Sequence, residues 1–353
     1  MTGKFYIQSR EISDKKPPLI IGEVSANHDR SLNKIYRLID CAAEINLEAI
    51  KFQTFDINEM TFDINKNEFL LKKYFQNKKW NNRSLFNLYS EAYLPHEWHS
   101  KIFKRAEKKG IICFSSVFDL KSLNLLKNLN CPAYKIASLE SQHFPLIERV
   151  IKIGKPIIIS TGTLNLKEIK EVNDFFLKKK FTKFAILHCL TQYPAKIDNC
   201  NLKTITYMKK KFNSPIGFSD HTTNSTAALA AIALGSNIIE KHFMISEKEN
   251  TLDSNFSFSP KKMEKLIKDS VEVWKSMGIE KKKIANEEKF YKKFRRSIYV
   301  SKNLQIGDKI DKDSIKIIRP GYGIEPKFYK KILGKKVKRS LSRGEPLKLS
   351  DLY

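Results

Sequence analysis

Charged and hydroxyl side chains interrupt eight apolar runs of this 353-residue chain, each near the C-terminal end of its run. In chain order they are Glu23, Lys51 with Gln53, Ser115 and Ser116, Lys135 with Ser138, Ser160 with Thr161, His188 with Thr191, Ser219 with His221, and His242. An unpaired charge in an apolar segment is costly, so a whole set at equivalent positions needs a shared purpose. Lys51 and Lys135 supply point positive charge, while Ser116, Ser138, Ser160 and Ser219 supply short donors. That combination suits the oxygens of a phosphate or carboxylate. A single such serine usually caps a helix; convergence on two lysines is what favours an anion site. His221 and His242 end consecutive runs and could face one divalent ion, with water or carboxylate completing the shell: Mn²⁺, Zn²⁺, Fe²⁺ or Co²⁺. Two hydrogen-bonded histidines are the plainer alternative. Asp253, just beyond the last run, could support the ion directly or from behind a ligand. His28 could orient the first loop, and His96, His99 and His143 read as surface or packing residues.

The runs themselves cover 19–24, 49–53, 112–117, 133–138, 156–161, 184–189, 215–220 and 237–243. They are near-continuously apolar, as parallel strands covered on both faces are. Helical periodicity fills the intervals. Residues 32–43 put Ile35, Leu38, Ile39 and Ala42 on one face, and 166–178 and 225–234 read likewise. Ser259-Pro260 predicts an N-cap with Pro at N1 before a helix over 260–276. Eight strands alternating with helices over about 260 residues fit a (β/α)₈ (TIM) barrel better than a doubly wound sheet, and the C-terminal strand ends of a barrel face its active site. The aromatic-rich stretch 56–98 is expected to be an insertion at that site with helices of its own. Neither GxGxxG nor GxxxxGK[ST] occurs, which argues against the nucleotide-binding folds. The barrel should occupy 1–278, a charged linker 279–293, and a small β-rich domain 294–353 with turns at Gly307-Asp308 and Gly344-Glu345. A unit of 60 residues buries little core alone and should dock on something.

Composition narrows the class. With 65 basic against 38 acidic side chains the formal charge is +27, which invites a nucleic-acid reading. Yet lysines number 54 and arginines only 11, and the lysines are scattered over every polar segment rather than gathered in a stripe. Readers of phosphates and bases rely on the arginine fork, so no nucleic-acid partner is expected. No run approaches membrane-spanning length, and the first residues lack the apolar core of a secretion signal. Five cysteines, without CxxC spacing, read as free thiols. These features together predict a cytoplasmic protein.

The runs IIGEVSANH (20–28), IKFQT (50–54), PAYKIASLE (132–140), KPIIISTG (155–162), GFSDHT (217–222) and EKHF (240–243) resemble the sialic acid synthase family, in order and spacing across the whole chain. The tail resembles that family's antifreeze-protein-like (SAF) domain. Within the family, SANH, EAYLPHEWH (91–99), DSNFSFSP (253–260) and RPGYG (319–323) resemble the pseudaminic acid branch most. The resemblance implies condensation of phosphoenolpyruvate with the aldehyde of an open-chain N-acetylated amino sugar, releasing phosphate; an N-acetylneuraminate or legionaminic acid synthase is the alternative, and a non-enzymatic basic binding module a remoter one. It assigns phosphoenolpyruvate to Lys51, Ser116, Lys135, Ser138, Ser160 and Ser219, and further pocket positions to Gln53, Glu140, Thr191 and Tyr193. It puts a divalent metal, typically Mn²⁺ with Mg²⁺ or Co²⁺ as alternatives, on His221 and His242. Glu23 matches the acid near the reacting centre and Asp253 the carboxylate near the metal. Arg319 matches an arginine that one protomer of a domain-swapped homodimer inserts into its partner's barrel. The chain departs from the family at Thr191, usually Asn, at Val117, usually Pro, in NHDRS for NHNGS, and in the KENTL before Asp253. Those changes fall on the sugar side. A synthase for a 3-deoxy sugar phosphate, built on the same barrel plan, should carry several arginines at strand ends, and this barrel has almost none.

Overall fold

Eight parallel strands close into a barrel in the computed structural model, which describes residues 3–71, 79–278 and 284–353. They are β3 (Leu19–Glu23), β4 (Ala49–Thr54), β5 (Ile112–Val117), β6 (Tyr134–Ile136), β7 (Ile157–Ser160), β8 (Phe184–Cys189), β9 (Ile216–Asp220) and β10 (Ile238–His242). β10 pairs with β3 to complete the ring. Each matches a predicted run to within a residue or two at either end. Ahead of them lies a hairpin that the sequence pattern does not announce, β1 (Phe5–Ile7) against β2 (Arg10–Ile12). Strands of three residues are too short to carry a periodic signal. Ile7 and Ile12 are buried in the barrel core, and Arg10 binds Glu48 just before β4, which places the hairpin at the end opposite the strand tips.

The helices form because their apolar stripes have this barrel to cover. Leu32–Glu44 starts at Ser31, whose hydroxyl accepts from the Lys34 amide, and buries Ile35, Leu38, Ile39 and Ala42. Ile35, Leu38 and Ile39 each contribute roughly 1.5–3 kcal/mol on burial. Leu166–Lys178 begins with a capping box between Asn165 and Glu168. Pro260–Met277 has Ser259 at its N-cap and Pro at N1 as predicted, but the Ser259 hydroxyl donates to Glu247 and leaves the helix uncapped by its side chain.

Chain contacts divide the molecule between Gly278 and Ile279. Of the expected linker, residues 279–283 lie outside the described residues, and Asn286–Phe290 and Tyr291–Phe294 are short helical turns. The second unit is built on β11 (Ser297–Val300) antiparallel to β12 (Ile315–Ile318), over a core of Ile298, Leu304, Ile315, Val337 and Leu347. Gly307 and Gly344 occupy the left-handed backbone region at the predicted turns.

Candidate active site

Period-two alternation decides which strand-end residues meet. Glu23, Lys51, Gln53, Ser116, Lys135, Ser160, Cys189, Ser219, Glu240 and His242 point inward and, with Ser138, Tyr193 and His221, line a cavity of about 50 Å³ at the barrel's C-terminal end. Register aligns them in rows: Glu23 is level with Lys51 and His242, Ser116 with Gln53 and Lys135, and Ser219 with Cys189 and Glu240. The neighbouring positions point the other way. Ser115 bonds Thr54, which also bonds His99, and His188 reaches the Cys200 carbonyl. These two strand-end residues therefore belong to the helix layer and not to the site.

The cavity is held by alternating charge. Lys51 Nζ forms an ion pair with Glu23, lies 3.6 Å from Glu240, and donates to Ser116 Oγ at 3.0 Å. Lys135 Nζ lies 3.8 Å from the other Glu240 oxygen and donates to Ser160 Oγ at 2.6 Å. Ser219 donates to Glu240 at 3.1 Å, and Gln53 to Glu23 at 3.2 Å. Burial works against the Lys51 charge, but Glu23 and Glu240 outweigh it and raise its pKa. Burial also opposes ionisation of Glu240, and Lys135 and Lys51 overcome it. Glu23 is different: burial dominates and raises its pKa, so it is the readier of the two carboxyls to carry a proton. Glu240 was not among the residues singled out from the sequence. Its signal was present, as a charge inside IIEKHF two positions before His242, hence on the same face.

His221 and His242 face each other with ring centres 5.3 Å apart, flanked by Tyr193 and Phe256. The Leu190 carbonyl accepts from His221 Nδ1 at 2.7 Å, which leaves Nε2 with the lone pair. Burial opposes a charge on His221, but its contacts with Cys189 and Leu190 offset this and raise its pKa. Burial holds His242 well below the usual histidine value, so it stays neutral, and its Nδ1 is buried with no hydrogen-bond partner. Asp253 lies 3.7 Å from that nitrogen. The Ala26 amide donates to Asp253 Oδ2 at 3.3 Å, and His28 Nδ1 accepts from the Arg30 amide in the same loop. Among the described residues no three His, Cys, Asp or Glu side chains gather around one ion position. An oriented imidazole and an orphaned neutral one do fit a divalent cation whose remaining positions are left to substrate oxygens or water.

A second cavity of about 290 Å³ opens beyond the first and shares Gln53, Ser138, Tyr193 and His242 with it. Its walls are mostly apolar: Phe55, Met60, Leu71, Trp80, Leu88, Tyr89, Phe118 and Leu252. Five of these come from the predicted insertion 56–98, which contains the helix Leu85–Ala92. Trp80 packs on Tyr193 at 5.2 Å, and Lys79 bridges to Ser254 at 2.9 Å, tying the insertion to the Asp253 loop. Glu140, Thr191 and Asp253 are its polar members besides Ser25 and the shared residues. Gly162, at φ +48°, lets this wall close: a Cβ there would sit 2.3 Å from Ser138 Cβ and 2.7 Å from Thr191 Oγ1.

Arg319 belongs to the second unit, where it is exposed just after β12. The following turn is pinned to Ser297, which donates to the Pro320 carbonyl and accepts from the Gly323 amide. A Cβ on Gly323 would lie 2.2 Å from the Ile298 carbonyl oxygen.

Comparison with known proteins places this architecture. The NeuB family model matches residues 38–282 and the SAF domain model residues 295–352. The pseudaminic acid synthase of Campylobacter jejuni subsp. jejuni (serotype O:23/36) is 36% identical, over 96% of this chain and 97% of that protein. The pseudaminic acid synthase of Helicobacter pylori is 35% identical, over 96% and 98%. Among solved structures, the N-acetylneuraminic acid (sialic acid) synthetase of Leptospira borgpetersenii, in complex with citrate, is 31% identical with a TM-score of 0.73, over 82% of this chain and 95% of that one. No helix among the described residues is long and apolar enough to cross a membrane.

Proposed function

The chain belongs to the NeuB family, and from that premise we propose that it condenses phosphoenolpyruvate with an N-acetylated amino sugar aldehyde to give a nine-carbon acid of pseudaminic type and phosphate. The observation that carries this reading is the pair of buried lysines, Lys51 held beside Glu23 and Lys135 beside Glu240, in a cavity that the facing imidazoles also line. Lys51 and Lys135, with Ser116, Ser138, Ser160 and Ser219, bind the phosphate and carboxylate of phosphoenolpyruvate. The sugar occupies the apolar cavity, whose walls suit acetamido methyl groups, with Gln53, Glu140, Thr191 and Tyr193 as its polar contacts. His221 and His242 would hold a divalent ion, Mn²⁺ by preference, which polarises the aldehyde oxygen as a Lewis acid.

The residues do the rest. The cavity walls hold the enol carbon against the aldehyde carbon, and a carbon–carbon bond forms. Positive charge develops at the former enol carbon, where the Glu240 and Glu23 carboxyls stabilise it. Water adds there, and Glu23 takes one of its two protons and passes it to the former aldehyde oxygen, which becomes the new hydroxyl. The carbon–oxygen bond to phosphate then breaks as the ketone C=O forms, the second water proton leaving with the phosphate while Lys51 and Lys135 balance the departing charge. Phosphate release from phosphoenolpyruvate with a panel of amino sugars carrying one or two acetamido groups, with and without Mn²⁺, tests the reading. Metal-dependent release with a diacetamido sugar is expected, and no release with any sugar would end it.

The assembly proposal is a homodimer in which Arg319 reaches the partner's sugar site. What supports it is the exposed Arg319 beside a turn stiffened by Ser297. Arg319→Ala and His221→Ala, each nearly inactive, should regain activity on mixing if subunits exchange. Verified heterodimers without activity would rule out the swap.

A further inference from the structure

The proposed reaction consumes an aldehyde, whereas a free amino sugar in water is held almost wholly as its cyclic hemiacetal. Something must open the ring, and one side chain in the acceptor cavity has the form for it. Glu23 and Glu240 are tied to the lysines, and Asp253 is held by Ala26 beside His242. Glu140 ends the turn Ser138–Glu140 with Oε2 buried and without a hydrogen-bond partner, and it forms no ion pair among the described residues. Its surroundings in the cavity include Leu139, Phe118, Phe55 and Tyr89. Such walls solvate a carboxylate poorly: burial raises its pKa to about 7, so the group exchanges a proton readily near neutral pH. A carboxylic acid can give up a proton from one oxygen and take one back on the same atom.

Resting on the reading of the site above, we propose that Glu140 catalyses ring opening of the bound amino sugar, an activity separate from condensation. The cavity-facing oxygen of Glu140 gives its proton to the ring oxygen as the bond from C1 to that oxygen breaks. The same oxygen then takes the proton of the anomeric hydroxyl as C1=O forms, so Glu140 ends protonated as it began. No co-reactant is consumed. The open chain is then released within the same cavity that His242 and Asp253 line, so the aldehyde need not leave to react.

The test uses the panel sugar with the highest turnover, labelled with carbon-13 at C1. Exchange between its anomers is followed by magnetisation transfer without phosphoenolpyruvate. Wild-type enzyme should speed the exchange in proportion to its concentration. Glu140→Gln keeps the shape and cannot relay the proton, so it should lose about 100-fold of that catalysis while still binding phosphoenolpyruvate by calorimetry. With phosphoenolpyruvate present, condensation by Glu140→Gln should stop rising with enzyme concentration at the spontaneous ring-opening rate; wild-type enzyme should pass that ceiling. Wild-type exchange in Glu140→Gln, or a wild-type enzyme held at the ceiling, overturns the proposal while leaving the condensation reading intact. If no sugar releases phosphate, both fall.

Discussion

The deep cavity confines Lys51, Lys135, Glu23 and Glu240 around about 50 Å³, whereas the outer one spreads Phe55, Trp80, Leu88 and Tyr89 around about 290 Å³. Apart from Tyr193, the polar groups in the first come from strands or their immediate tips, so backbone register sets their positions. The walls of the second come largely from an insertion whose placement depends on a few side-chain contacts, among them Trp80 on Tyr193 and Lys79 on Ser254. A rigid charged floor suits a substrate common to a whole family, and a wall borrowed from a loop suits the substrate that varies. The contrast supports the proposal that phosphoenolpyruvate binds the floor and the sugar the wall.

Replacing either lysine is the hardest blow to the floor. Lys51→Met or Lys135→Met removes a charge partner from buried carboxylates as well as from the substrate, and broken buried pairs cost about 3–5 kcal/mol. Calorimetry should find phosphoenolpyruvate affinity down by a factor on the order of 100 to 1,000. Affinity equal to wild type in both variants would take the lysines out of the site. His221→Ala or His242→Ala should abolish Mn²⁺ binding, measured as metal retained after dialysis, and lower the rate by at least about 100-fold. Full activity after exhaustive chelation would refute a metal role.

The wall should respond to pH where the floor does not. Folded Glu140 holds its proton to about pH 7, while an ordinary carboxyl releases it near 4.5. Between those values the folded chain binds more protons than the unfolded one, so stability falls as pH rises, by on the order of 3 kcal/mol once Glu140 is fully ionised. Glu140→Gln removes that penalty. Its melting temperature should exceed wild type at pH 8, and the gap should close toward pH 5; a gap independent of pH would contradict the assignment. The smallest effect sharpens the division most. Trp80→Ala loses one aromatic contact and should raise the sugar's KM up to about 10-fold with phosphoenolpyruvate affinity unchanged. Equal loss for both substrates would erase the boundary between the cavities.

The floor was legible in the sequence because polar residues inside apolar strands are rare and alternate with period two. Lys51, Lys135, Ser116, Ser219 and His242 announce themselves in that way. The same period explains the misreadings: Ser116 facing inward obliges Ser115 to face the helices, and Cys189 inward obliges His188 outward. Glu240 obeys the rule and was readable from His242. The wall was legible only as an aromatic-rich stretch. Nothing in the local pattern of 56–98 says that Trp80 meets Tyr193 from 113 residues away, because that contact is set by tertiary packing.

The central claim is that the floor directs attack on phosphoenolpyruvate carbon and expels phosphate with its bridging oxygen. Phosphoenolpyruvate carrying oxygen-18 in the carbon–oxygen–phosphorus bridge tests it directly. Mass spectrometry of the products, formed with the best amino sugar and Mn²⁺, should find the label in inorganic phosphate and none of it in the sugar acid. Label retained in the acid would mean that the phosphorus–oxygen bond broke instead, and would contradict the account.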